Sequence, residues 1–158
     1  MTPKDKAMEL WEEGTERLLD GDLEGAVSAY NASLNVHPTA EAYTYRGWAY
    51  SFEKRYEDAI EECRQAIATD PEFGNPYNDI GSYLVALGRE GEAVEWFERA
   101  KGAERYEPRH FPYLNLGKLY AMKGLYDLAA IEFEEALLFN PDDPVATEFL
   151  REHPPQVN

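Results

Sequence analysis

Residues 43–71 read YTYRGWAYSFEKRYEDAIEECRQAIATDP, and the spacing inside this stretch recurs along the chain. Gly47 is followed twelve residues later by Ala59, sixteen later by Cys63 and nineteen later by Ala66; Tyr43 stands four residues before it and Pro71 closes the unit. The same offsets from Gly14 give Leu10, Ala26, Tyr30, Ser33 and Pro38. From Gly81 they give Tyr77, Ala93, Phe97 and Ala100, and from Gly117 they give Tyr113, Ala129, Phe133, Ala136 and Pro141. The third unit has Arg105 where the others end on proline. Successive glycines stand 33, 34 and 36 residues apart, so two extra residues precede the fourth unit. They fall in the charged stretch Lys101 to Pro112, which also holds Pro108 and is expected to displace the last unit slightly. Four in-register sets make a tandem repeat, and a repeat settles the architecture before any single helix is considered.

Each unit contains two apolar-periodic segments of helical length, parted by a breaker such as Gly21, Gly88 or Gly124. The unit is therefore a helical hairpin, and its glycine and alanines mark where the two helices cross too closely for larger side chains. First helices are predicted near 3–19, 40–53, 76–87 and 112–123, with partners near 22–36, 55–69, 89–102 and 125–139. The pairs Thr2-Pro3, Asn75-Pro76 and Asp143-Pro144 each read as a capping side chain ahead of a proline at the first helical position. A final short segment, about 144–152, directs Val145, Phe149 and Leu150 to the last hairpin and Glu148, Arg151 and Glu152 to water, as a solubilising cap would.

This pattern resembles the tetratricopeptide repeat over about residues 7–141. Arg17 and Leu84 stand where that family often has a tyrosine, which Tyr50 and Tyr120 supply in the other units. The resemblance implies an all-α fold, a right-handed superhelix (α-solenoid) of hairpins, in one domain over 1–158. Its repeats would be about 7–39, 40–73, 74–109 and 110–143, with a capping helix at about 144–152. It also implies that the first helices line a concave face.

The composition is compatible with such a fold. In 158 residues, 44% are apolar and 13% aromatic, enough to bury a core despite 31 acidic against 15 basic side chains. A net charge of −16, spread over all four units, disfavours nucleic acid, whose phosphates call for clustered lysine and arginine. The longest uncharged stretch, Gly25 to Ala40, is shorter and more polar than a membrane span, and the N-terminal residues do not read as a secretory signal, so a cytoplasmic protein is expected. One cysteine makes no internal disulfide, and His37, His110 and His153 are too scattered to suggest a metal motif.

No catalytic or cofactor-binding motif stands out. Cys63 takes the slot of Tyr30, Phe97 and Phe133 and so belongs to hairpin packing, while carboxylate runs such as Glu61-Glu62 and Glu132-Phe133-Glu134-Glu135 fall on second helices as a solvated face would. The chain is expected not to be an enzyme and to hold neither cofactor nor metal. The informative residues lie on the first helices. Positions three before, one after and five after each glycine give Trp11-Thr15-Leu19, Thr44-Trp48-Phe52, Asn78-Ser82-Ala86 and Leu114-Lys118-Met122, flanked by Glu12, Tyr45, Asp79 and Asn115. From these the candidate groove comprises Trp11, Thr15, Tyr45, Trp48, Phe52, Asn78, Asp79, Asn115 and Lys118. Its N-terminal half is aromatic; four such rings, half exposed, would present about 300–500 Å², the size of a binding patch. The alternative is that these rings simply pack between hairpins. Asn78 and Asn115 suit the backbone of an extended peptide.

The resembled family has a subclass that clamps a C-terminal carboxylate with lysine, arginine and asparagine, but the matching places here carry Trp11, Thr15 and Tyr45. The expected function is a protein-interaction scaffold holding a peptide or protein surface, neutral or cationic with an apolar anchor. The alternatives are a chaperone for an apolar client and a structural protein that self-assembles into a homo-oligomer through the same face.

Overall fold

The structure, a computed structural model, describes residues 1–154 and is helical throughout, apart from one isolated bridge. Among the described residues the elements are α1 (Pro3–Leu19), α2 (Leu23–Val36), α3 (Ala40–Phe52), α4 (Tyr56–Thr69), α5 (Asn75–Ala86), α6 (Glu90–Lys101), α7 (Phe111–Met122), α8 (Tyr126–Phe139) and α9 (Pro144–Glu152). Every boundary falls within a residue of the sequence expectation. Each odd-numbered helix through α7 pairs with its successor, and α1, α3, α5 and α7 also touch one another in series, forming one continuous inner row.

Helix starts follow from local chemistry. Thr2 and Asp5 form a reciprocal capping box on α1, and Asp143 accepts from the Ala146 amide at 2.9 Å to start α9. Asp22 and Thr39 cap α2 and α3 in the same manner, at 2.9 and 3.2 Å, a role the sequence reading did not assign them. Asn75 departs from expectation. Gly74 precedes the helix, Asn75 is its first residue, and its side chain does not cap. The turn before α5 is held instead by the incoming 102–110 segment: Gly74 N–H donates to the Arg105 carbonyl at 2.9 Å and Arg105 N–H donates to the Glu72 carbonyl at 3.0 Å. These bonds replace a side-chain cap.

The repeated glycine is explained by the aromatic sixteen residues on. A Cβ on Gly14, Gly81 or Gly117 would sit within 2.5–2.7 Å of the ring of Tyr30, Phe97 or Phe133, each almost wholly buried. In the second unit Cys63 is too small to reach over the glycine, and a Cβ on Gly47 would instead meet the Ala59 carbonyl oxygen at 3.0 Å. There the bidentate Arg46–Glu62 pair, at 2.6 and 2.8 Å, bridges the two helices beside the crossing. The core runs lengthwise through the stack, from Leu18 and Tyr30, through Ile60, Ile80 and Leu116, to Phe133 and Ala146.

At the C-terminal end α9 lays Ala146, Phe149 and Leu150 on α7 and α8, with Phe149 4.7 Å from the Phe133 ring, while Glu148, Arg151 and Glu152 face water as expected. Val145 does not join them; it is 42% exposed, because the first turn of so short a helix rotates it past the hairpin.

Candidate functional site

The inner row of first helices carries all nine groove candidates, but it presents them unequally. Trp11 on α1 and Tyr45 on α3 meet edge to face at 5.1 Å, Tyr45 meets Trp48 at 5.8 Å, and Trp48 continues to Phe52 at 5.4 Å. These four rings form one aromatic file along two helices. Trp11, Tyr45 and Trp48 are half-buried, with their inner edges against Leu18, Tyr30 and Ala49, whereas Phe52 is 54% exposed. The file therefore closes the gap between the first two hairpins with one edge and faces the groove with the other. Packing and exposure, weighed as alternatives from sequence, coexist in the same rings.

The polar candidates are more engaged than their spacing suggested. Thr15 donates to the Trp11 carbonyl at 2.9 Å or shares its hydroxyl with Tyr30 at 3.0 Å. Asn78 is buried and its Oδ1 accepts from Asn115 Nδ2 at 2.9 Å, so the two amides expected to grip a peptide backbone tie α5 to α7. Thr44 and Leu114, three residues before their glycines, are buried as well. At that position a side chain faces the neighbouring first helix, so the exposed stripe begins one turn later. Lys118 is exposed, and the row five residues after the glycine ends in Leu19, Phe52 and Met122, all well exposed.

Between the aromatic file and the polar end lies a cavity of about 210 Å³, lined by Tyr45, Trp48, Asn75, Asn78, Asp79, Tyr106, Glu107, Pro108 and Phe111. Five of these were not foreseen. Asn75 stands where the sequence predicts a cap, and Tyr106, Glu107, Pro108 and Phe111 come from the inter-repeat stretch, for which the sequence predicts only a slight displacement of the last unit. That stretch instead folds back into the groove, and its anchor is Tyr106, which is buried against Gly74 where a Cβ would approach its ring to 2.3 Å. The only signals in the sequence were the two extra residues and the lone glycine before Asn75.

Asp79 sets the electrostatics. Burial, opposed by the Asn78 side chain, pushes its carboxyl up to about 7, and its charge in turn raises the phenols of Tyr45 and Tyr106, which burial already holds up. Burial likewise lifts the Cys63 thiol well above its ordinary range, with Asp79 and Glu62 adding to the shift, which leaves it protonated and a poor nucleophile. The cavity thus offers aromatic rings, amide groups and carboxylates.

Comparison with known proteins bears on the repeat and the fold. Models described as tetratricopeptide repeat match residues 40–73, 75–106 and 112–143. The small glutamine-rich tetratricopeptide repeat-containing protein 2 of Mycosarcoma maydis is 34% identical over 100 residues, which is 63% of this chain and 28% of that protein. The chain therefore spans under a third of that relative's length. PilF of Pseudomonas aeruginosa has a similar structure, with TM-score 0.83 at 24% identity over 94% of this chain and 70% of that one. The second tetratricopeptide domain of Spaghetti (RPAP3), solved bound to the HSP90 peptide SRMEEVD, matches with TM-score 0.59 at 26% identity, covering 64% of this chain and 94% of that one.

Proposed function

The chain belongs to the tetratricopeptide repeat family, and we propose that it is a protein-interaction scaffold that holds an extended peptide segment in its concave face, without covalent chemistry. The observation that carries this reading is the file Trp11, Tyr45, Trp48 and Phe52, whose outer edges face the groove beside a formed cavity. Aromatic anchors of this kind supply most of the binding energy at protein interfaces. The exposed row of Leu19, Phe52 and Met122 supports an apolar anchor on the ligand. Asp79 and Glu107 support a neutral or cationic ligand over an acidic one.

The Spaghetti domain binds a peptide with an acidic end. Among the nine groove residues here, Lys118 is the one cation, and the places of the carboxylate clamp carry Trp11, Thr15 and Tyr45. A ligand of different charge is therefore favoured for this groove.

Panning a random extended-peptide library on the purified chain tests the reading. Peptides that bind the wild type and are lost with Trp48→Ala are expected. Selected peptides that bind Trp48→Ala and Tyr45→Ala equally well would remove the concave face as the site.

A further inference from the structure

We infer that the cavity between α3, α5 and the 102–110 segment receives the cationic side chain of a lysine or arginine from the bound peptide, held between aromatic faces and the carboxylates of Asp79 and Glu107. This rests on the concave face being the peptide groove, and it names the chemistry the groove selects.

Four observations point to it. First, four rings line the cavity, from Tyr45, Trp48, Tyr106 and Phe111. The chain's own arginines and lysines lie over the rings of Tyr43, Tyr50, Phe73, Tyr77, Trp96 and Tyr113, and among the described residues no such cation lies over the four rings of the cavity. Second, neither Asp79 nor Glu107 joins an ion pair among the described residues, although most nearby cations are so used. Arg105 is held by Glu41 and Asp70, at 2.8 and 2.6 Å, and Arg109 donates to the carbonyls of Lys101 and Glu104 at 3.3 and 3.1 Å. The two cations closest in sequence to the cavity are thereby committed elsewhere.

Third, Asn75 lines the same cavity and its Oδ1 is buried without a hydrogen-bond partner. An unpaired acceptor beside two carboxylates calls for a donor, and lysine and arginine side chains are donors only. Fourth, a purely apolar occupant would seal the Asp79 carboxylate away from water with no counter-ion, which is costly. An anionic occupant would meet like charge. A cation with an aliphatic stem satisfies every wall, since the stem covers the rings while the head reaches the carboxylate. The elevated carboxyl of Asp79 fits this arrangement, because an arriving cation restores the ionised form that burial disfavours.

The test is a nuclear magnetic resonance titration of the full chain with three small probes: N-acetyl-lysine N-methylamide, its arginine counterpart, and its norleucine counterpart as the neutral control. Saturable shifts are expected at the Trp48 indole and the Asn75 side-chain amide for at least one cationic probe. Affinity should be weaker by about tenfold or more for norleucine and, with the cationic probe, for Asp79→Asn, about 1.4 kcal/mol or more. The lysine and arginine arms show which head group is preferred. Equal binding of norleucine, unchanged cation binding by Asp79→Asn in a variant with an otherwise unaltered spectrum, or shifts confined to exposed carboxylates would each overturn the inference. Its failure is separable from failure of the groove: library peptides that depend on Trp48 but carry no enrichment of lysine or arginine would leave the groove standing without the cation pocket.

Discussion

Asn115 on α7 donates through Nδ2 to Oδ1 of Asn78 on α5 across 2.9 Å, a side-chain bond between two first helices that are 37 residues apart in sequence. Because Asn78 is buried, the bond stabilises the stack where α5 and α7 meet. Removing one partner leaves a buried acceptor unpaired, so Asn115→Ala is expected to cost about 1–2 kcal/mol, read as a lowered midpoint in urea unfolding. The Asn78→Ala, Asn115→Ala double variant should lose less than the sum of the two single losses. Additive losses would mean the amides act independently.

Tyr45 and Trp48 have a double role, closing the first inter-hairpin gap and facing the groove. Full burial would make each truncation to alanine cost about 3–5 kcal/mol; half-burial roughly halves each loss and places the double variant at about 3–5 kcal/mol in total. The variant is expected to remain helical by circular dichroism with a lower Tm, and its affinity for library-selected peptides is expected to fall by at least about tenfold. Complete unfolding at room temperature would return both rings to the core.

Lys54 adopts φ 59°, in the turn position that Gly21, Gly88 and Gly124 fill in the other hairpins. The hydrogen bonds around all four turns are equivalent: Arg55 N–H donates to the Tyr50 carbonyl as Asp22 does to Arg17, Arg89 to Leu84 and Leu125 to Tyr120. A left-handed conformation costs a residue with a Cβ about 1–2 kcal/mol, partly offset by the greater freedom of glycine in the unfolded chain. Lys54→Gly is therefore expected to stabilise by about 0.5–1 kcal/mol, measured as a shift of the denaturation midpoint. Destabilisation would show that the lysine side chain makes a compensating contribution.

Asp79 is expected to make stability fall as pH rises. Its carboxyl titrates near 3.8 when the chain is unfolded and at about 7 when folded, so the folded form holds a proton that the unfolded form has lost. The contribution is fully present below pH 3.8, declines through the interval, and is flat above about 7. Tyr45, Cys63, Tyr83 and Tyr106, all raised in part by the charge of Asp79, remain neutral throughout this window. Asp79→Asn should leave stability at pH 4 unchanged. At pH 8 it should raise stability by about 1–3 kcal/mol, less than full burial would give because water still reaches the cavity. Equal effects at both values would contradict the assignment.

Ending the chain after Asn140 removes α9 and uncovers Phe133, Ala136 and Leu114, against which Ala146, Phe149 and Leu150 lie. A terminal hairpin stripped of its cover exposes apolar surface, so a lower Tm and concentration-dependent aggregation in sedimentation are expected. A monomeric truncation with an unchanged Tm would show that α9 contributes nothing to the stack.

The chain's order of residues determined the repeat, the helix boundaries and the side of each helix that faces inward. Those properties depend on spacing at the helical period and on glycine being the only residue that fits beneath Tyr30, Phe97 and Phe133, constraints that act over less than one hairpin. Spacing alone picked out Trp11, Tyr45, Trp48 and Phe52 as candidates on the first helices, Trp48 and Phe52 because side chains four residues apart on one helix share a face. Tertiary structure decided what those faces meet. The Asn78–Asn115 bond, the burial of Thr44 and Leu114, and the charge state of Asp79 depend on how neighbouring first helices approach one another, and the register of a single repeat carries no record of that approach. The cavity is the extreme case. Its walls come from α3, α5, the start of α7 and an inter-repeat stretch without periodicity, and it exists only because Tyr106 is buried over Gly74 some thirty residues earlier in the chain.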